Sequence, residues 1–361
     1  MNGKLKMSGA VLIIGIPLIL SGCGLWGASD QANKSQNKNV NYVDPGDSLD
    51  MKKGDKKKDE TSSAMKEQGA VETVSRKLFL VDKNGLVVPQ TLEVPVTKSV
   101  AQQSLKYLVK GGPVQNILPN GFQAVLPAGT QILGADMDGN TLTVNFSKEF
   151  ATYKPKNEEQ ILDAVTWTVT QFDNIDHVKI QIDGVSQTAM PVNGTPIDEA
   201  GASRGDGINE ELGHVVDVTG TQAVTLYFPA QVGDRYYYVP VTTRTDMGKG
   251  KIVAAVNGLA AGPVPNSGLL AALGNDVKLV GQPVIKDGVV TLNFNKEIYS
   301  NAKKQTVSQK VVDSLVLSLT DQPDIKKVAI QVNGNTSIKT ISGKTISEPV
   351  SRPQQVNTVG L

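Results

Sequence analysis

Two stretches of the chain place a lysine beside a glutamate after an alternating apolar run: TLTVNFSKEF at residues 141–150 and VTLNFNKEI at 290–298. A carboxyl next to a cation is a natural candidate for general acid–base work, so Lys148–Glu149 and Lys296–Glu297 come first. Hydrolysis of a glycan needs two carboxylates flanking one bond, and each stretch supplies a single acid. Both pairs therefore read as solvated turn residues. His177 and His214 are the two histidines of the 361 residues. His177 opens an apolar strand, and Lys327 holds the matching place further on. His214 lies near Glu210 and Glu211, a spacing that could graze a metal, but its Gly- and Asp-rich surroundings make it a solvated linker residue. Asp136-Met137-Asp138-Gly139-Asn140 looks briefly like a calcium loop, yet that loop needs Gly at its sixth and Glu at its twelfth position. Here Gly is fourth, and the later counterpart keeps only Asp287-Gly288. Arg204-Gly205-Asp206 is given no weight. With no H-E-x-x-H or Cys–His pattern in the sequence, the chain reads as a non-enzyme with no cofactor and no metal.

The most concentrated aromatic feature is Tyr236-Tyr237-Tyr238. A strand would point Tyr236 and Tyr238 to one face and Tyr237 to the other. Such a cluster could form a stacking surface for a glycan or a partner peptide, but an edge strand with one half-buried face is the reading favoured, since Tyr is a good strand former. It is the candidate partner surface.

The N-terminus carries a different chemistry. Lys4 and Lys6 precede an apolar run from Val11 to Leu20, which ends in Leu20-Ser21-Gly22-Cys23. A basic start, a short apolar core and small residues make an export signal, too short for a comfortable membrane span. The tetrad resembles the bacterial lipobox, whose Cys becomes diacylated and begins the mature chain. Cys23 is the only cysteine, so a disulfide is excluded, and two acyl chains would anchor the protein stably on a membrane surface. Removal of Lys4 and Lys6 with residues 1–22 turns the formal charge of +1 into −1. That balance, without a basic excess, does not point to nucleic-acid binding. Residues 23–75 are rich in Asn, Gln, Lys, Asp and Ser, including Lys52-Lys53-Gly54-Asp55-Lys56-Lys57-Lys58-Asp59-Glu60. Too few apolar side chains are present there to offset chain entropy, and a tether of this length would reach roughly 40 Å.

The elements that must position all these residues come in duplicate. Leu108 to Val114 answers Leu259 to Val264, Asp138-Gly139 answers Asp287-Gly288, and Val178 to Gly184 answers Val328 to Gly334, at offsets of 149 to 151. Each copy opens with two strands, Leu78 to Val81 then a second ending at Val94-Pro95-Val96, or Val224 to Phe228 then one ending at Val239-Pro240-Val241. A helix follows. In copy one Ala101, Leu105 and Leu108 share a face, and Gly111-Gly112-Pro113 stops it. Next comes an Asp-Gly hairpin whose second strand buries Leu142, Val144 and Phe146, or Val290, Leu292 and Phe294. A longer helix runs from about Asn157 to Phe172 on the stripe Leu162, Val165, Val169, Phe172, repeated as Val312, Leu315, Leu319; Trp167 lies off the stripe. A last strand closes each copy. The order ββα-ββα-β gives an α/β (α+β) layer fold, two tandem copies of a small mixed-sheet domain with two helices each. The expected boundaries are signal 1–22, lipidated tether 23–75, first domain 76–197, linker 198–222, second domain 223–348 and C-terminal tail 349–361.

Thr143-Val144-Asn145-Phe146-Ser147-Lys148-Glu149-Phe150 and Thr291-Leu292-Asn293-Phe294-Asn295-Lys296-Glu297-Ile298, behind a lipobox and a tether, resemble the GerM-type family of sporulation and germination lipoproteins of endospore-forming bacilli. The resemblance covers nearly the whole chain. It implies a domain similar to the ring-building modules of secretion systems. It also implies a lipoprotein anchored in the outer forespore membrane and facing the intermembrane space. There it would help other sporulation envelope proteins, the channel or ring subunits, assemble a secretion complex between mother cell and forespore. A role in binding or modifying peptidoglycan is the alternative.

Overall fold

The computed structural model describes residues 72–210 and 220–358. The expected signal, Cys23, residues 23–71 of the expected tether and His214 lie outside the described residues, while residues 73–75, expected in the tether, belong to β1. In order, the first half has β1 (Thr73–Asp82), β2 (Val87–Pro95), α1 (Val100–Lys106), β3 (Phe122–Gln123), β4 (Ile132–Asp138), β5 (Thr141–Phe146), α2 (Glu158–Val169), β6 (His177–Ile182), β7 (Val185–Ser186) and β8 (Ala202–Ser203). The second has β9 (Thr221–Val232), β10 (Arg235–Asp246), α3 (Lys251–Ala261), β11 (Val284–Lys286), β12 (Val289–Phe294), β13 (Thr306–Val307), α4 (Gln309–Leu319), β14 (Lys327–Val332), β15 (Ile338–Thr340), β16 (Thr345–Ile346) and β17 (Val350–Ser351). The expected ββα-ββα-β order is present twice, with short additional strands: β3, β7 and β8 in the first half and β13, β15, β16 and β17 in the second.

Each half builds a hairpin sheet and a mixed sheet, and the second adds a small sheet ordered β13-β15-β16. A long antiparallel hairpin, β1–β2 or β9–β10, stands apart from a mixed sheet ordered β4-β5-β6-β7 or β11-β12-β14-β17. Within the mixed sheet, β5 runs parallel to β6 with Thr141 opposite His177, and β12 runs parallel to β14 with Val289 opposite Lys327. A parallel pair needs a crossover, and α2 or α4 supplies it. Leu142, Val144 and Phe146, like Val290, Leu292 and Phe294, are buried at the centre of these sheets. Burial of such side chains contributes roughly 1.5–3 kcal/mol each. The repeated Asn of the motif also has a structural duty. Asn145 Oδ1 accepts from the Gly184 amide and Asn293 Oδ1 from the Gly334 amide, both at 2.9 Å. Each bond pins the turn after the neighbouring parallel strand to the middle of the motif. The motif recurs because it closes the same joint twice.

Several boundaries differ from the sequence reading. Helix α1 ends at Lys106, short of Gly111, because Leu108 O accepts the Leu126 amide and the chain turns off to bridge Leu126 through Val109. Pro240 lies in the middle of β10, opposite Tyr227, and the strand continues to Asp246. Trp167 is fully buried although it lies off the Leu162 stripe, because α2 is covered on a second side; its Nε1 donates to Gly207 O at 2.8 Å. Residues 198–210, expected within a linker, are built into the fold: β8 pairs with β6 and Ile208 is buried. The expected C-terminal tail likewise pairs with β14 through β17, and Val356 is buried. One hydrophobic cluster runs from Leu78 in the first half to Ile346 in the second.

Candidate functional site

A set of polar side chains lies along the seam between the two halves, where β2 faces β10. Pro89 on β2 and Pro240 on β10 lack the N–H that a ladder would need, so the strands are joined by side chains. Asn209 Oδ1 accepts from Val87 N at 2.7 Å, and its Nδ2 donates to Val87 O at 2.7 Å and Pro240 O at 2.8 Å. Asn357 repeats this with the halves exchanged: Oδ1 accepts from Tyr238 N, while Nδ2 donates to Tyr238 O and Pro89 O, at 2.7–2.8 Å. Both asparagines are left-handed, at φ 47° and 56°, a conformation that Asn enters more readily than most residues. Around them Thr91 Oγ1 donates to Val356 O at 2.7 Å, and Ile208 N donates to Thr242 Oγ1 at 3.0 Å. The seam thus has approximate two-fold symmetry.

Two arginines hold the approach to each asparagine. Arg204 stacks its guanidinium 4.4 Å above the Trp167 ring and donates to Thr170 Oγ1 at 3.1 Å. Arg352 donates to Leu317 O, Thr320 Oγ1 and Tyr227 Oη, with its guanidinium 4.9 Å over the Tyr227 ring. Cations at the last carbonyls of α2 and α4 also complement the negative helix ends. Tyr227 is pushed up to about 12 by burial, with Arg352 opposing and Asp321 reinforcing the shift.

Two carboxyl groups on α2 behave in opposite ways. Glu158 is fully buried and accepts from Tyr153 Oη and the amides of Val192, Asn193 and Thr195 at 2.6–3.0 Å. Burial alone would raise its pKa; the amide bonds and Tyr153 overcome that and hold it at about 2. Among the described residues, Asp163 accepts only the Asn209 amide, at 2.9 Å. Burial pushes it up to about 7, the Asn209 bond opposes this, and Glu159, Glu210 and Asp206 add to it.

Comparisons with known proteins agree with this duplicated architecture. The family model described as "Germane: Sporulation and spore germination" matches twice, over residues 77–188 and 225–337. The spore germination protein GerM of Bacillus subtilis (strain 168) is 47% identical over 348 residues, covering 94% of each chain. The chain belongs to the Germane family. A solved structure of the tandem GerMN domains of the sporulation protein GerM from Bacillus subtilis is similar at 50% identity and a TM-score of 0.75, covering 80% of this chain and all of that one. This Germane protein is accordingly a sporulation and germination protein with two tandem domains.

Against the seam, the residues singled out from sequence fall into three groups. Tyr236, Tyr237 and Tyr238 do not form one open surface. Tyr237 is only 5% exposed, donates to Asp82 Oδ2 of the first domain at 2.8 Å, and meets the Phe122 ring edge-on at 5.1 Å. It is a seam residue, and its partner surface lies within the chain. Tyr238 donates to Asp313 Oδ2 at 2.8 Å, and Tyr236, 43% exposed, lies under Lys310 Nζ at 3.5 Å. The Lys–Glu pairs sit in short turns after β5 and β12, away from the seam; the Ser147 hydroxyl, first among its contacts, lowers the Glu149 pKa. His177 Nδ1 lies 3.4 Å from Gly201 O, and no cluster of three or more potential metal ligands occurs among the described residues. Arg204, dismissed as part of a chance tripeptide, is instead a seam residue. The overlooked signal was Ser203-Arg204-x-x-x-Ile208-Asn209, which recurs at an offset of 148 as Ser351-Arg352-x-x-x-Val356-Asn357.

Proposed function

We propose that this Germane protein is a non-enzymatic assembly lipoprotein. It is anchored by a diacylated Cys23, on the outer forespore membrane facing the intermembrane space. It helps other sporulation envelope proteins build a channel-like secretion complex between mother cell and forespore, and germination depends on that assembly. The observation that carries this reading is the seam itself. Its polar side chains fix two domains as one body. The mixed sheet of each domain then ends in an outer strand, β4 or β11, with no further strand beside it among the described residues. Such edges accept strands from other proteins. Strand β11 is short and exposes Val284 and Ile285, while β4 exposes Leu133 and Met137 beside Asp136 and Asp138.

The test is site-specific photocrosslinking in sporulating cells, with probes at Leu133 and Ile285 and a buried control at Tyr237. Capture at an outer strand of a protein identified as a subunit of the envelope channel supports the assembly reading. Recovery of wall fragments alone would replace it with the peptidoglycan reading.

A further inference from the structure

A cavity of about 550 Å³ opens on the seam, walled by Phe79 and Tyr227 and rimmed by Lys77, Arg204 and Arg352. The three cations come from β1, from the segment after β8 and from the C-terminal segment, so only the joined domains bring them together. Their local compensation is incomplete. Asp321 Oδ1 lies 3.8 Å from Arg204 and 3.5 Å from Arg352, and among the described residues it is the one carboxylate that pairs with either. Both arginines also answer helix-terminal groups, Thr170 Oγ1 and Leu317 O. Lys77 has neither kind of partner: among the described residues no carboxylate lies within ion-pair distance of its Nζ. Burial lowers its pKa, and the charges of Arg352 and Arg204 lower it further against a weaker pull from Asp321. Asp173 also lines the cavity, which leaves three cations facing two acids. The second domain breaks the symmetry, since Thr225 and Asp321 stand where the first has Lys77 and Gln171.

We propose that this cavity binds an oxyanion, a phosphate or a carboxylate carried on a small ligand or a polymer end, between Lys77 and the two arginines. Guanidinium groups suit planar or tetrahedral oxyanions, and a flexible ammonium completes the charge. The volume lies within the range of ordinary ligand pockets and leaves room for more than the bare anion. The site does not depend on the assembly role: it can exist in a scaffold or in a wall-binding protein.

Trp167, directly beneath Arg204, provides the readout. The full chain is titrated with inorganic phosphate and, separately, with acetate, at ionic strength held constant with sodium chloride because screening alone moves exposed charges. The expected result is a saturable change in tryptophan fluorescence with at least one of them. Phosphate alone would identify phosphate chemistry, and acetate alone carboxylate chemistry. Lys77→Gln should weaken binding at least about fivefold, in keeping with loss of one charge-assisted bond, while Lys77→Arg and the distant control Lys148→Gln should bind as the unaltered chain does. No saturable response to either anion, or a Lys77→Gln protein that binds as tightly as the parent, would overturn the assignment.

Discussion

Replacing Tyr237 by Phe removes one hydroxyl and leaves the ring in place against Phe122. In the intact protein that hydroxyl donates to Asp82 Oδ2 at 2.8 Å, across 155 residues of chain, and both side chains are buried. Asp82 would not be stranded outright. Its Oδ1 keeps the Asn84 and Leu86 amides at 2.8 and 2.9 Å, but its Oδ2 keeps only Asn84 Nδ2 at 3.4 Å. Loss of one buried hydrogen bond to a charged acceptor costs about 2 kcal/mol. For a two-domain body of this size that is a fall of roughly 3–4 °C in the unfolding midpoint. Urea unfolding followed by near-UV circular dichroism measures it. Tyr236→Phe is the control, because Tyr236 is exposed and stacks under Lys310, and should change stability by less than about 0.5 kcal/mol. Asp82→Asn in the same cycle should couple to Tyr237→Phe by about 1 kcal/mol, since the two side chains share one bond. A Tyr237→Phe protein as stable as the Tyr236→Phe control would refute the claim that this bond fastens the domains.

Glu158→Gln places a donor among four donors already aimed at the carboxylate, and should cost about 3 kcal/mol at pH 7. Because the folded carboxyl is held at about 2, below its unfolded value near 4.3, its contribution is present above the unfolded value and lost as pH falls toward 2. The gap between parent and variant should therefore close between pH 4 and 2, and a constant gap would contradict the assignment. Asp163 runs the other way. With its folded value raised to about 7, its contribution is full below the unfolded value near 3.9 and is lost as pH rises through 7. Asp163→Asn keeps an oxygen for the Asn209 amide and should be more stable than the parent at pH 8 by about 1–3 kcal/mol. That advantage should shrink on going to pH 5, as urea midpoints at the two values will show.

The internal repeat, the alternating apolar residues of β5 and β12 and the Asp-Gly hairpins were legible because each is a local pattern. A two-residue period, a 3.6-residue period and a left-handed turn residue all report on neighbours in sequence. The seam was not legible for the converse reason. Asn209 sits among Gly and Asp, Asn357 follows Pro and Gln, and both compositions signal loops. Their partners on β2 and β10 lie up to 268 residues away. Tyr237 illustrates the same limit: alternation separated it from Tyr236 and Tyr238, but only the second domain's position against Asp82 decided which face was covered. Trp167 fell off the α2 stripe because that stripe describes one packing partner and the helix has two. The recurrence of Ser-Arg-x-x-x-Ile/Val-Asn was available in the sequence, in segments set aside as linker and tail.

The account rests on the claim that the two domains and both asparagine clasps form one cooperative body. Native-state hydrogen exchange on the parent and on Asn357→Ala measures this directly. The parent should open β1–β2 and β9–β10 amides with a common free energy and a common dependence on urea, and Asn357→Ala should lower both hairpins together. Hairpins that exchange with separate free energies in the parent, or an Asn357→Ala effect confined to β9–β10, would contradict it.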